Sequence, residues 1–205
     1  MKILHLFHNL MNLYGEYANT LALARELENS GVSVEIEKQS VGDKFDFSEA
    51  DFIYIGSGTE KNQKVALEEL KPCKNELSAA LERGAVVLAT GNSFELFGKK
   101  ITDKTGRDFE GLGLFDFTVT ESDKRTVTDS VCEFEGNEII GFVNKASEIT
   151  GIKNPFFSVK QGAGNNSSEL SAEGIREGNF FGTHIIGPLL IRNKSMAEYF
   201  AKLLK

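Results

Sequence analysis

Residues 86–98 read "VVLATGNSFELFG", Val86 to Gly98. Five apolar or β-favouring residues run up to Thr90, the chain breaks at Gly91, and a helix-like start follows at once. A buried strand turning sharply into a helix is the layout of a nucleophile elbow, which holds a reactive side chain at a strand's carboxyl end. Here the point of the turn is a glycine and carries no side chain.

The segments on either side extend the pattern. "KILHLF" near the N-terminus is a short buried strand. Ala18, Leu21, Ala22, Leu23 and Leu27 then have helical spacing up to Gly31. "VSVEIEKQS" alternates as a strand, and "DFIYIGSG" is a second buried strand ending in glycines. Lys61 to Arg83 reads as a helix interrupted at Pro72, with Gly84 as its C′ residue. Strands alternating with helices predict parallel pairing through right-handed crossovers.

From about Gly111 the sequence is rich in Thr, Val, Phe and Ile, with a turn at Gly136-Asn137, and predicts antiparallel β-structure. "SMAEYFAKLLK" closes the chain as an amphipathic helix, Ser195 and Glu198 having capping-box spacing. The predicted architecture is a flavodoxin-like α/β three-layer sandwich, with a central, mostly parallel sheet and a C-terminal antiparallel β extension. No linker or repeat divides residues 1–205, so one domain is expected.

At 205 residues and 40% hydrophobic composition the chain buries a substantial core without staples. A net charge of -7 argues against a nucleic-acid partner. No apolar run approaches the length of a membrane span. The N-terminus lacks a signal-peptide h-region. Cys73 and Cys132 are far apart and without CxxC spacing, so reduced thiols and a cytoplasmic location are expected. Cys73 follows Pro72 away from the elbow, and Cys132 reads as a packed thiol. His5 and His8 flank the end of the first strand, but lack a carboxylate partner. Neither a metal nor a cofactor is expected.

In an open α/β sheet a site belongs at the carboxyl ends of the strands. "GSGTEKNQ" (56–63), "TGNSFE" (90–95) and "LYGEYAN" (13–19) fall there. Their glycines suit close approach to a ligand and equally suit tight turns.

Taken in order, these segments, with "GLGLFDFT", "GFVNKASEIT" and "EGNFFGTHIIGPLLIRN", resemble the class I glutamine amidotransferases of the cobyric acid synthase type. Within that family the chain most resembles the glutaminase subunit of lipid II isoglutaminyl synthase, which works beside a Mur-ligase-like partner. The resemblance implies an elbow cysteine that attacks glutamine, backbone N–H groups that hold the oxyanion, and a histidine that moves protons. Aligned from "FELFG", the cysteine position is Gly91, Asn92 and Ser93 stand at two glycines, and Glu95 stands at a glutamine. The histidine position, directly before Gly-Pro-Leu-Leu, is Ile186. Both members of the dyad are replaced.

Other residues are weighed as substitutes. Thr90 reaches the elbow only if the turn gains a residue, and reads better as a strand-end threonine. Ser93 suits a helix start, and Asn92 with Glu95 has the spacing of a capping box. His184 lies two residues before Ile186, on the same strand face; with no nucleophile opposite, a structural histidine is the better reading. The resemblance also implies a basic residue holding the glutamine carboxylate. "ESDKRTV" offers Lys124 and Arg125 for it, or else forms a solvated cluster with Glu121, Asp123 and Asp129.

The leading expectation is therefore a glutamine amidotransferase-like protein inactive as a glutaminase, serving as scaffold or regulatory subunit of a ligase-like partner. One alternative is a module that binds glutamine or a small anion through Gly58, Gly91, Asn92 and Arg125. The other is a residual hydrolase or transferase using Ser93 or His184.

Overall fold

The computed structural model describes residues 1–205. Alternation along the early strands sets its layers. In β1 (Lys2–Leu6), β3 (Phe52–Ile55) and β4 (Val86–Thr90), successive residues point to opposite faces of a sheet. Leu4, Leu6, Ile53, Ile55, Val87 and Ala89 enter one apolar cluster, with Ala66, Leu67 and Leu70 of α2 (Glu60–Leu70) and Leu77 and Ala80 of α3 (Lys74–Arg83). Ile3, Phe52, Tyr54, Val86 and Leu88 enter the other. There they meet Leu23 and Leu27 of α1 (Ala18–Asn29) and Met196 and Phe200 of α5 (Lys194–Leu203). Helices thus cover both faces of a central sheet, as the sequence predicts.

With β2 (Glu35–Gln39), β11 (Ile175–Glu177) and β12 (Phe180–Thr183), the sheet order is β11-β12-β4-β3-β1-β2. All neighbours are parallel except β11 with β12. The break at Pro72 is a 3-10 turn, Lys71–Cys73, between α2 and α3. Gly84 closes α3 in the left-handed region at φ 109°, where a Cβ is disfavoured.

The expected antiparallel structure is present as an insertion within the chain. A second sheet, β10-β9-β7-β5-β6 with β8 on β7, is formed by β5 (Lys100–Thr102), β6 (Asp108–Glu110), β7 (Thr118–Phe134), β8 (Asn137–Thr150), β9 (Phe157–Gln161) and β10 (Ala172–Glu173). The chain then returns to the central sheet through β11 and β12. It passes next through the short α4 (Leu189–Arg192) and ends in α5. The β7–β8 hairpin turns at Glu135 and Gly136, both at positive φ, the turn whose twist suits a two-residue connection.

Three local expectations fail. The helix after the elbow is a 3-10 segment, Gly91–Phe97, all buried except Asn92. With no exposed face it is a plug of core side chains, not an amphipathic helix. Asn92 and Glu95 form no capping box, because both side chains bond to other elements. Ser195 lies inside α5, whose N-cap is Asn193. The Asn193 amide instead bonds the backbone N–H and C=O of Ile140, tying α5 to β8, while Glu198 pairs with Lys194 at 2.8 Å.

Candidate functional site

Gly91 sits at the carboxyl end of β4 with φ 64°, the left-handed backbone of an elbow. A Cβ built on it would lie 2.3 Å from Ser57 Cβ and 3.2 Å from Ser57 Cα. The volume into which a side chain at position 91 would project is therefore filled by the neighbouring strand's loop.

Ser57 is anchored there by Glu16. The fully buried Glu16 accepts from the Ser57 N–H at 2.7 Å, from the Ser57 hydroxyl at 2.5 Å and from Thr90 Oγ1 at 2.9 Å. Thr90 Oγ1 also bonds the Tyr54 hydroxyl at 2.8 Å, which accepts from the Asn19 amide at 2.8 Å. Asn19 Oδ1 in turn accepts from the Leu190 N–H. Burial raises the Glu16 carboxyl above its ordinary value, and the Ser57 and Thr90 hydrogen bonds oppose that rise. Thr90 is thus committed within a buried chain. Ser93 is committed too, its hydroxyl donating to the carbonyls of Ile55 and Thr90 at 3.0 and 2.9 Å in a fully buried position.

Glu95 forms a second buried centre. One carboxylate oxygen accepts from Gln63 Nε2 at 2.6 Å. The other lies 2.5 Å from the Ser147 hydroxyl and 2.9 Å from His184 Nε2. Behind His184, Glu173 Oε1 lies 3.7 Å from Nδ1 and accepts the His184 backbone N–H at 2.7 Å. Burial raises the Glu173 carboxyl, against the opposing pull of His184. His184 is 2% exposed and packs edge-on to Phe94. Ile186 is equally buried, and its backbone pairs with Phe142 of β8.

Next to both centres opens a cleft of about 250 Å³. Gly58, Asn92 and Arg125, three of the residues singled out in the sequence, line it together; Gly91, Thr90, Ser93, His184 and Ile186 do not. Asn92 Oδ1 accepts the Gly58 N–H at 3.0 Å. Arg125 projects from a bulge where the β7–β8 register shifts, bonding Asn144 at 2.9 Å and pairing with Glu60 of α2. Its acidic partner comes from a helix covering the central sheet, while Asp123 pairs with Lys104 and Glu121 with Lys64. Lys124 lines a different cleft.

Glu16, Ser57, Gln63, Ser147 and Lys145 escaped the sequence reading. Lys145 is 6% exposed and donates to the carbonyls of Gly164 and Asn165. His5 is fully buried with both ring nitrogens unpartnered, and burial lowers it to about 4. Cys73 and Cys132 are free thiols, and burial pushes Cys132 up to about 12. No helix is long and apolar enough to cross a membrane.

The layered sheet, with a sharp turn at the carboxyl end of β4, has the fold of the glutamine amidotransferases. A solved glutamine amidotransferase superposes with a TM-score of 0.64 at 15% identity, covering 98% of both chains. A chain of PurLQS from Thermotoga maritima superposes at 0.63 and 15% identity, covering 99% of this chain and 97% of that one. Residues 2–194 match the model of the CobB/CobQ-like glutamine amidotransferase domain, and the chain belongs to that family. The subunit GatD of lipid II isoglutaminyl synthase (glutamine-hydrolyzing) from Staphylococcus aureus is 30% identical over 200 residues, 97% of this chain and 82% of that protein. Its Streptococcus pneumoniae counterpart is 30% identical over 202 residues, 96% and 77% of the respective chains.

Proposed function

We propose that the whole chain acts as one glutamine amidotransferase-like domain that does not hydrolyse glutamine. It serves as the scaffold or regulatory subunit of a Mur-ligase-like partner in the cytoplasm. The observation that carries this reading is the contact at position 91. A nucleophile belongs at the elbow, yet Gly91 has none and Ser57 fills its place. The hydroxyls of Ser57, Thr90 and Ser93 around the elbow are all buried donors to internal acceptors. Ile186 stands where the resemblance puts the proton-transferring histidine. The names of the relatives, each a subunit of a glutamine-hydrolysing synthase, support a multi-chain setting.

The test is release of ammonia from glutamine by the purified chain, alone and with a co-expressed Mur-ligase-like protein. No release above the enzyme-free rate is expected. Release that disappears in Thr90→Ala or Ser93→Ala would overturn the reading.

A second reading has one observation in its favour: Gly58, Asn92 and Arg125 share a cleft. Arg125 is 44% exposed and offers a planar fork to a carboxylate if Glu60 releases it. Calorimetry with glutamine and glutamate, on the native chain and on Arg125→Ala, decides it. Heat of binding that Arg125→Ala abolishes supports an amino-acid-binding module, and no heat with either ligand removes it.

A further inference from the structure

Lys145 also lines a second, larger cleft of about 560 Å³. Around it stand Lys124, Thr126 and Thr128 of β7, Lys145 and Glu148 of β8, and Ser167 of the glycine-rich segment after β9. Thr126 lies directly opposite Lys145 across the antiparallel pair, so both belong to one face of the hairpin. The two carbonyls that Lys145 Nζ reaches, at 2.7 and 2.8 Å, belong to Gly164 and Asn165. Gly164 lines this cleft and not the one beside the elbow. The ammonium therefore sits on the side of the second cleft.

An ammonium has three donors, and here two are used. It makes no ion pair, although Lys145 is only 6% exposed. Burial lowers its proton affinity, and Glu173, Glu148 and Glu95 oppose that loss from beyond contact distance. Securing a loop by two carbonyls needs only a neutral donor. Holding a cation there carries a desolvation cost that the three carboxylates offset only in part. An anion in the cleft would satisfy the third donor and offset that cost. Lys124 adds a second cation, and Thr126 and Ser167 add hydroxyls. Only Ala163 and Leu170 among the lining residues are apolar, and no aromatic ring is present to stack on a base.

We propose that this cleft binds a small oxyanion, a phosphate or carboxylate carried on a polar body. Lys145 is its main cation, Lys124 the outer one, and the Thr126 hydroxyl donates to it. The proposal does not rest on the reading of the elbow, since the two sites share only the wall at Lys145.

The experiment is an amide NMR titration of the full chain with inorganic phosphate, with acetate, and with chloride at matched ionic strength. Saturable shifts of Thr126, Thr128 and residues 162–167 with phosphate or acetate, absent with chloride, are expected, and the anion that saturates identifies the group. Lys124→Ala should weaken binding about threefold, and Lys145→Met roughly tenfold or more. If Lys145→Met does not fold, the double variant Lys124→Ala/Thr126→Val carries the test with the same expected weakening. No saturable shift with either anion, the same shifts with chloride, or affinity unchanged in these variants overturns the proposal.

Discussion

The turn at residues 90–93 and the cleft that Asn92 and Glu95 help to line are built from adjacent residues, yet their polar groups differ in freedom. In the turn every hydroxyl is spent. Thr90 bonds Glu16 and Tyr54, and Ser93 bonds two carbonyls. In the cleft, Arg125 is held only by exposed pairs that a ligand could displace. Buried, satisfied networks fix one conformation, whereas half-exposed pairs exchange readily. The same backbone segment thus contributes to a sealed core and to an open surface, and substitutions should separate the two.

The largest effect is expected at Glu16. Glu16→Ala leaves three buried donors without an acceptor and should cost on the order of 3–5 kcal/mol in urea unfolding. A loss below about 1 kcal/mol would mean that the turn is not sealed as described. Glu16→Gln sharpens the point through pH. The folded-state carboxyl is raised above its ordinary 4.5, so its stabilising proton is fully present below that value and is lost as pH rises through the folded-state value. The glutamine variant cannot lose it. Its stability relative to the native chain should therefore climb with pH, and a flat difference would contradict the buried acid.

Gly91→Cys comes next. Overlap with Ser57 and a side chain at positive φ should together cost about 2–4 kcal/mol, without restoring glutamine hydrolysis. Adding Ser57→Gly should recover part of the loss, and no recovery would break the link between the two positions. Ser93→Ala removes two hydroxyl bonds and should cost about 1 kcal/mol; reaction of Ser93 with a serine-directed probe would contradict its burial. The smallest stability change, under about 1 kcal/mol, is expected for Arg125→Ala, an exposed pair, and calorimetric melting checks it.

The comparison also marks what the sequence could disclose. β1, β3, β4 and the helices between them were legible because burial there follows a period of 2 or 3.6 over several residues. The break at Pro72 and the stop at Gly84 were legible because each is a backbone constraint confined to one residue. The segment 91–97 misled because continuous burial carries no period, and the capping-box spacing of Asn92 and Glu95 fits several geometries equally. Glu16 lies inside "LYGEYAN", yet its partners lie 41 and 74 residues away. No local rule marks a glutamate for burial at that distance. Lys145 and Ser147 were hidden likewise within "GFVNKASEIT", since their partners come from other strands and loops.

The close approach of Ser57 to Gly91 also couples what each position tolerates. The two positions sit on different strands' loops, and neither can be changed to a larger residue without regard to the other. A larger residue at position 91 requires a smaller one at position 57, a step that by itself removes a Glu16 hydrogen bond. The intermediate is poorer than either end, so ordinary single-step mutation has little reason to pass through it. The contact works as a ratchet, letting the surrounding surface diversify while the turn stays shut.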